Sequence, residues 1–93
     1  MKFRSDYAVL ICPCIFLDKK PILLAVRDED GSWQLLCGDE SCINENAPHV
    51  VGIGHIVERD KSIEELVAME PNTYAERKSV RSNWKFGPLS KLD

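Results

Sequence analysis

The chain has 93 residues, enough for one domain with a small core and modest stability. An apolar fraction of 44% and a charged fraction of 29% belong to an ordinary soluble globule and exclude a low-complexity chain. A net charge of −3, with both signs mixed along the chain, excludes a protein whose main work is gripping nucleic acid, which needs a basic face.

The opening "MKFRSDYAVLICPCIFLDKK" sets Lys2 and Arg4 before the apolar residues 8–17 and so imitates a signal peptide. Asp6 precedes the run, Pro13 interrupts it, and no small-x-small cleavage site follows. Ile11 before Cys12 is too bulky for a lipoprotein signal, and the run is too short to span a bilayer as a helix. The expectation is a cytoplasmic protein away from membranes. Its four cysteines, Cys12, Cys14, Cys37 and Cys42, are then free thiols in a reducing compartment.

Residues 7–17 are rich in β-formers and predict a strand covered on both faces. Pro13 cannot donate to a ladder and marks an edge, a bulge or the end of pairing. After the polar residues 18–20, residues 22–26 predict a second strand. Asp30-Gly31 follows, between two β-rich runs, and predicts a hairpin with a type I′ turn. The returning strand places Trp33, Leu35 and Cys37 on one face and Gln34 and Leu36 on the other.

Residues 38–48 read as a turn-rich loop, and residues 49–59 as a strand, because Gly52 and Gly54 disfavour helix. Ser62 with Glu65 is a capping box opening a helix with Ile63, Leu66 and Val67 on one face, stopped by Pro71. Residues 73–80 return to the sheet, and residues 83–89 form a closing strand or an apolar flap. The sum is an α+β domain, a mainly antiparallel sheet of about four to five strands packed by one short helix.

Asp28, Asp30 and Ser32 invite a calcium reading, but the calcium loop needs glycine sixth and glutamate twelfth. Here Gly31 is fourth and Asp39 twelfth, so the stretch reads as a turn with exposed acids. Cys12, Cys14, Cys37 and Cys42, with His49 and His55, are the alternative as zinc ligands, although neither cysteine pair has knuckle spacing. The redox spacing is absent too. His55 with Glu58 and Arg59 would be an acid–base set, but on a strand His55 and Glu58 face oppositely. Gly52 and Gly54 lack the third glycine of a dinucleotide loop. Arg77, Lys78, Arg81 and Lys85 with Trp84 make the one local basic patch, read first as a solvated strand face. Trp33 and Trp84, where exposed, would mark contact sites.

Three segments, "DEDGSWQLLCG", "HVVGIGHIVERDKSIEELVAM" and "YAERKSVRSNWKF", together resemble a family of small bacterial proteins of unknown function. Its pattern is an acidic turn with W-Q-[FL]-L-C-G, a G-H-[IL] segment before a short helix, and A-x-R near a closing tryptophan. The resemblance covers residues 21–86 and rests on Trp33, Cys37, Gly38, Gly54, His55, Asp60, Ala75, Arg77 and Trp84. Lys61 stands where a proline often precedes the helix serine. No reaction is established for the family, and some wider relatives carry the label of immunity proteins that neutralise bacterial toxins.

Two readings follow. The first is a non-enzymatic protein-binding module of immunity or regulatory type, without cofactor. It would present the acids Asp28, Glu29, Asp30, Asp39, Glu40 and Glu45, with Trp33, His55, Arg77 and Trp84 as further contacts, to a toxin or regulator. The alternative is a small enzyme or zinc protein using His55, Cys37 and Arg77. A homodimer through an unpaired edge strand or an exposed Trp84 flap is a third possibility.

Overall fold

The computed structural model describes residues 7–38 and 49–91. Six strands, rather than four or five, form one sheet: β1 (Ala8–Ile11), β2 (Leu24–Arg27), β3 (Trp33–Leu36), β4 (His49–Gly52), β5 (Thr73–Glu76) and β6 (Lys85–Pro88). Their order across the sheet is β4-β1-β3-β2-β5-β6. β3 inserts between β1 and β2, so it runs parallel to β1, while every other pair is antiparallel.

Several short helices replace the single expected one. Pro13 ends β1 pairing and then serves as the first helical residue of α1 (Pro13–Phe16), where its missing N–H costs nothing. The expected strand over residues 7–17 is therefore a strand followed by a helical turn. The same correction applies to residues 49–59. Gly52 is extended, with ψ 133°, and the chain then turns into α2 (Ile53–Arg59), burying Ile53 and Ile56 one turn apart. The apolar spacing outweighs Gly54, whose place inside a helix costs about 1 kcal/mol relative to alanine. The predicted Ser62 helix is a 3₁₀ segment, η1 (Lys61–Leu66), and its cap is Asp60, whose carboxylate accepts the Ser62 amide at 3.0 Å. A second 3₁₀ turn, η2 (Leu89–Lys91), follows β6.

The register places Val9, Ile11, Leu35, Ala25 and Ala75 on one sheet face, each 2% exposed or less. Ile15, Ile53, Ile56, Ile63 and Leu66 from the helices close that face into a single core. On the other face Val26 and Leu36 are buried at the centre, while Val50, Glu76 and Lys85 are exposed toward the edges.

The hairpin forms as expected, but its turn differs. Asp28 N–H donates to Ser32 O at 2.8 Å and Gly31 N–H to Asp28 O at 2.9 Å. Of the loop residues only Gly31 has positive φ, at 91°, so this is a type I turn with a glycine bulge rather than type I′. A Cβ at Gly31 would meet only the Arg27 guanidinium at 3.8 Å. Gly31→Ala is therefore expected to lose stability through backbone conformation alone, by about 1–2 kcal/mol in urea unfolding. Asn at this position should lose less.

Candidate functional site

Two arginine–tryptophan pairs gather Trp33, Asp60, Arg77 and Trp84, four of the residues singled out in the sequence. Arg77 continues β5, its amide bonded to Leu23 O at 3.0 Å. Its side chain is fully buried, donating from Nε to Ile22 O at 3.0 Å, from one terminal nitrogen to Ser62 Oγ at 2.6 Å and from the other to Asp60 at 2.5 Å. Trp84 lies over the guanidinium, 4.2 Å from its carbon to the ring centre. The Trp84 indole N–H is buried without an acceptor among the described residues, so the Arg77 face, not a hydrogen bond, positions the ring. Burial acts to raise the Asp60 pKa, but the Ser62 hydroxyl and Arg77 outweigh it and hold this carboxyl below its ordinary range.

The second pair sits at the hairpin. Arg27 is opposite Trp33 in register, its guanidinium carbon 5.1 Å from the ring centre. It donates to Met69 O at 2.5 Å and to Gly31 O at 3.3 Å, tying β2 to the segment after η1 and to the turn. Asp30 accepts both the amide and the hydroxyl of Ser32, bonds that lower its pKa. Asp28 accepts Gln34 Nε2 at 2.8 Å. These two carboxylates bind the turn's own donors.

Trp33 and Trp84 are 3% and 8% exposed, so neither ring is presented at the surface and the Trp84 flap is closed. Arg77 leaves the basic patch for the interior, whereas Lys78, Arg81 and Lys85 remain exposed. His55, Glu58 and Arg59 sit on a helix, not a strand, and so share a side at helical spacing. His55 is exposed there, while Arg59 reaches away to Asp18 at 3.0 Å and Ile15 O at 3.1 Å. His55, Cys37 and Arg77 are not joined: Arg77 bonds Asp60 and Ser62, and Cys37 is buried with its thiol against Cys12. Burial raises the Cys12 pKa, keeping that thiol protonated at neutral pH and a poor nucleophile or ligand. Among the described residues, no three His, Cys, Asp or Glu side chains converge as a metal requires. Cys42, Asp39, Glu40 and Glu45 lie outside the described residues.

One surface was not visible in the sequence. Phe16 and His49 stack with ring centres 4.0 Å apart and planes 8° from parallel, beside the outer strand β4. Phe16, Leu17 and Val50 are 47%, 57% and 66% exposed. Ile53 N–H donates to Tyr7 O at 2.8 Å, which marks a hydrogen-bonded pair in the β1–β4 ladder. Alternation then makes Val9–Val51 and Ile11–His49 bonded pairs and turns the N–H and C=O of Val50 and the N–H of Gly52 outward, while the Gly52 carbonyl, at the N-cap of α2, faces the helix. Among the described residues, no strand lies beyond β4. The opposite edge, β6, carries Lys85 and Pro88, residue types that discourage strand addition.

Fold and surface together define a small α+β domain with an open-edged, mostly antiparallel sheet. Comparison with protein-family models, curated proteins and solved structures returned no match. Among the described residues, no helix is long and apolar enough to cross a membrane.

Proposed function

We propose that this is a non-enzymatic, cytoplasmic protein-binding module of immunity or regulatory type, which takes an extended segment of its protein partner along β4. The observation that carries the reading is the β4 edge, which bears no Asp, Glu, Lys or Arg, has outward N–H and C=O groups at Val50 and an outward N–H at Gly52, and carries the exposed Phe16–His49 stack beside it. Strand addition draws affinity from main-chain hydrogen bonds and specificity from alternating side chains, and this edge offers both. The resemblance to small bacterial proteins with immunity relatives points to the same class. Of the three residues of the enzyme alternative, Arg77 is held by Asp60 and Ser62 and Cys37 is buried.

Val50→Pro is the direct test, because it deletes an outward N–H and spares the β1–β4 ladder. A partner captured by the wild type should bind this variant at least about tenfold more weakly, the loss of one main-chain hydrogen bond plus a ring clash. In the complex the Val50 and Gly52 amides should exchange slowly with deuterium. Unchanged affinity, or protection confined to another surface, would rule out the β4 edge.

A further inference from the structure

We infer that the apolar groove between residues 65–70 and β6 receives an arginine side chain of a protein partner. This contact is separate from the β4 edge, at the other end of the sheet. The register sets Phe86 opposite Ala75 and Pro88 opposite Thr73, so Phe86 and Thr73 share the sheet face that η1 covers. Glu65, Ala68, Met69 and Glu70 complete the lining. The groove holds about 270 Å³, below the roughly 300–1,000 Å³ of small-molecule sites, a volume suited to one side chain.

This lining matches an arginine part by part. Met69 is 5% exposed and Phe86 56%, so a buried floor meets a ring that is largely open to solvent. The aliphatic stem of an arginine covers such a floor, and its planar guanidinium stacks on the ring face. Neither glutamate carboxylate has an ion pair or hydrogen bond among the described residues, so both can receive the cation. The chain's own neighbouring cations lie outside the groove. Arg27 donates to the Met69 and Gly31 carbonyls, Lys85 stands on the opposite sheet face across from Glu76, and Lys61 precedes Glu65 by one helical turn. None of the three lines the groove. A wholly apolar segment would bury both carboxylates unpaired, which is costly. Two carboxylates are also too few for a hard metal ion such as calcium, which takes roughly six to eight oxygens. A net charge of −3 adds a long-range field that attracts a basic partner.

The groove is built before a partner arrives. Met69 N–H donates to Leu66 O at 2.9 Å, and Arg27 holds the Met69 carbonyl from β2. The Thr73 hydroxyl donates to Glu70 O. Asn72 adopts φ 66°, its amide donating to Arg27 O at 2.7 Å and its carbonyl accepting from Leu89 N–H at 3.1 Å. These bonds fix residues 69–72 against β2, β5 and η2, which lowers the ordering cost of binding.

Acetyl-arginine amide is the probe, followed by two-dimensional amide NMR of the full chain. Saturable shifts are expected at Glu65, Met69, Glu70, Thr73 and Phe86, with a dissociation constant of about millimolar for so few atoms. Acetyl-citrulline amide has nearly the same shape without the charge and should bind at least about fivefold more weakly. Acetyl-lysine amide keeps the charge without the plane and should also lose several-fold. Glu65→Gln with Glu70→Gln should weaken arginine binding by about tenfold. Phe86→Leu should weaken it several-fold, a loss that attraction between charges alone would not produce. All three residues are exposed, and each variant's own spectrum reports its fold. The inference is overturned if the shifts miss the groove, if the citrulline or lysine probe binds equally, or if either variant leaves affinity unchanged. A dimer of the free chain that Phe86→Leu dissolves would overturn it too, by making a second copy the occupant. Val50→Pro should not alter arginine binding, so this test stands apart from that of the β4 edge.

Discussion

Replacing Arg77 by alanine is expected to lower the unfolding free energy by about 3 kcal/mol, the lower end of the cost of breaking a buried ion pair. The lower end applies because the Asp60 side chain keeps 23% exposure and can recover some hydration, whereas the Arg77 side chain has none. Three groups lose the Arg77 donor at once: the Ser62 hydroxyl, the Ile22 carbonyl and the Asp60 carboxylate, which among the described residues keeps only its bonds from Ser62. Trp84 loses the cation beneath its ring. A domain of this length has only about 5–14 kcal/mol to lose, so thermal unfolding should begin about 12–24 °C earlier. Arg77→Lys keeps the charge but not the planar fork, and should recover less than half of the loss. A double-mutant cycle with Asp60→Asn should show coupling above about 1 kcal/mol, since the two side chains share one bond. An alanine variant as stable as the wild type would mean that Arg77 does not hold η1 to the sheet.

The same pair fixes the direction of acid sensitivity. The Asp60 pKa is lowered in the folded chain from its ordinary 3.8. Between those two values the unfolded chain binds the proton more readily, so stability rises with pH across that window. The contribution is complete above the ordinary value and is lost as pH falls through the lower, folded one. Unfolding curves collected from neutral pH down through this window should be steeper in pH for the wild type than for Asp60→Asn.

These groups show what the sequence revealed and what it hid. The hairpin and the return of residues 73–76 to the sheet were legible because apolar or alternating runs bounded by turn residues are local signals, and of the two readings of residues 83–89 a strand forms at Lys85–Pro88. The two mistaken stretches, residues 13–16 and 53–59, each carried a residue unfavourable to helix interiors, Pro13 and Gly54. Proline is harmless at the first helical position, and two buried isoleucines outweigh one glycine. Ser62 was visible as a capping residue, yet Asp60 two positions earlier took that place because its carboxylate also meets Arg77. Arg77 read as part of a surface patch since nothing nearby in sequence announces a partner 17 residues away. Arg27 was overlooked, although the hairpin register sets it opposite Trp33. The Phe16–His49 stack joins the end of α1 to the outer strand, a contact that strand order creates and no local pattern encodes.

Trp33→Ala should be as damaging as the loss of Arg77, at about 3–5 kcal/mol in urea unfolding, the usual cost of truncating a large aromatic in a core. The ring is 3% exposed and belongs to the main cluster with Leu35 and Ile63, so its removal opens a void that a six-stranded sheet cannot readily close. The loss should also reach beyond packing. Arg27 stacks on the ring while donating to Met69 O, so the tryptophan helps hold the cation that joins β2 to the segment following η1. Arg27→Met keeps the aliphatic stem and removes the charge and both hydrogen bonds, with an expected cost of about 1–2 kcal/mol. If ring and cation act together, the double variant will lose less than the two single losses added, by about 0.5–1.5 kcal/mol. Trp33→Phe should retain most of the packing and lose mainly the stronger cation–π contact. The acidic turn then acts through geometry: Asp28 and Asp30 bind Gln34 and Ser32, Gly31 bends the chain, and Trp33 enters the core in the register that meets Arg27. A Trp33→Ala loss of less than about 1 kcal/mol would place the ring outside the core and remove this role for the turn.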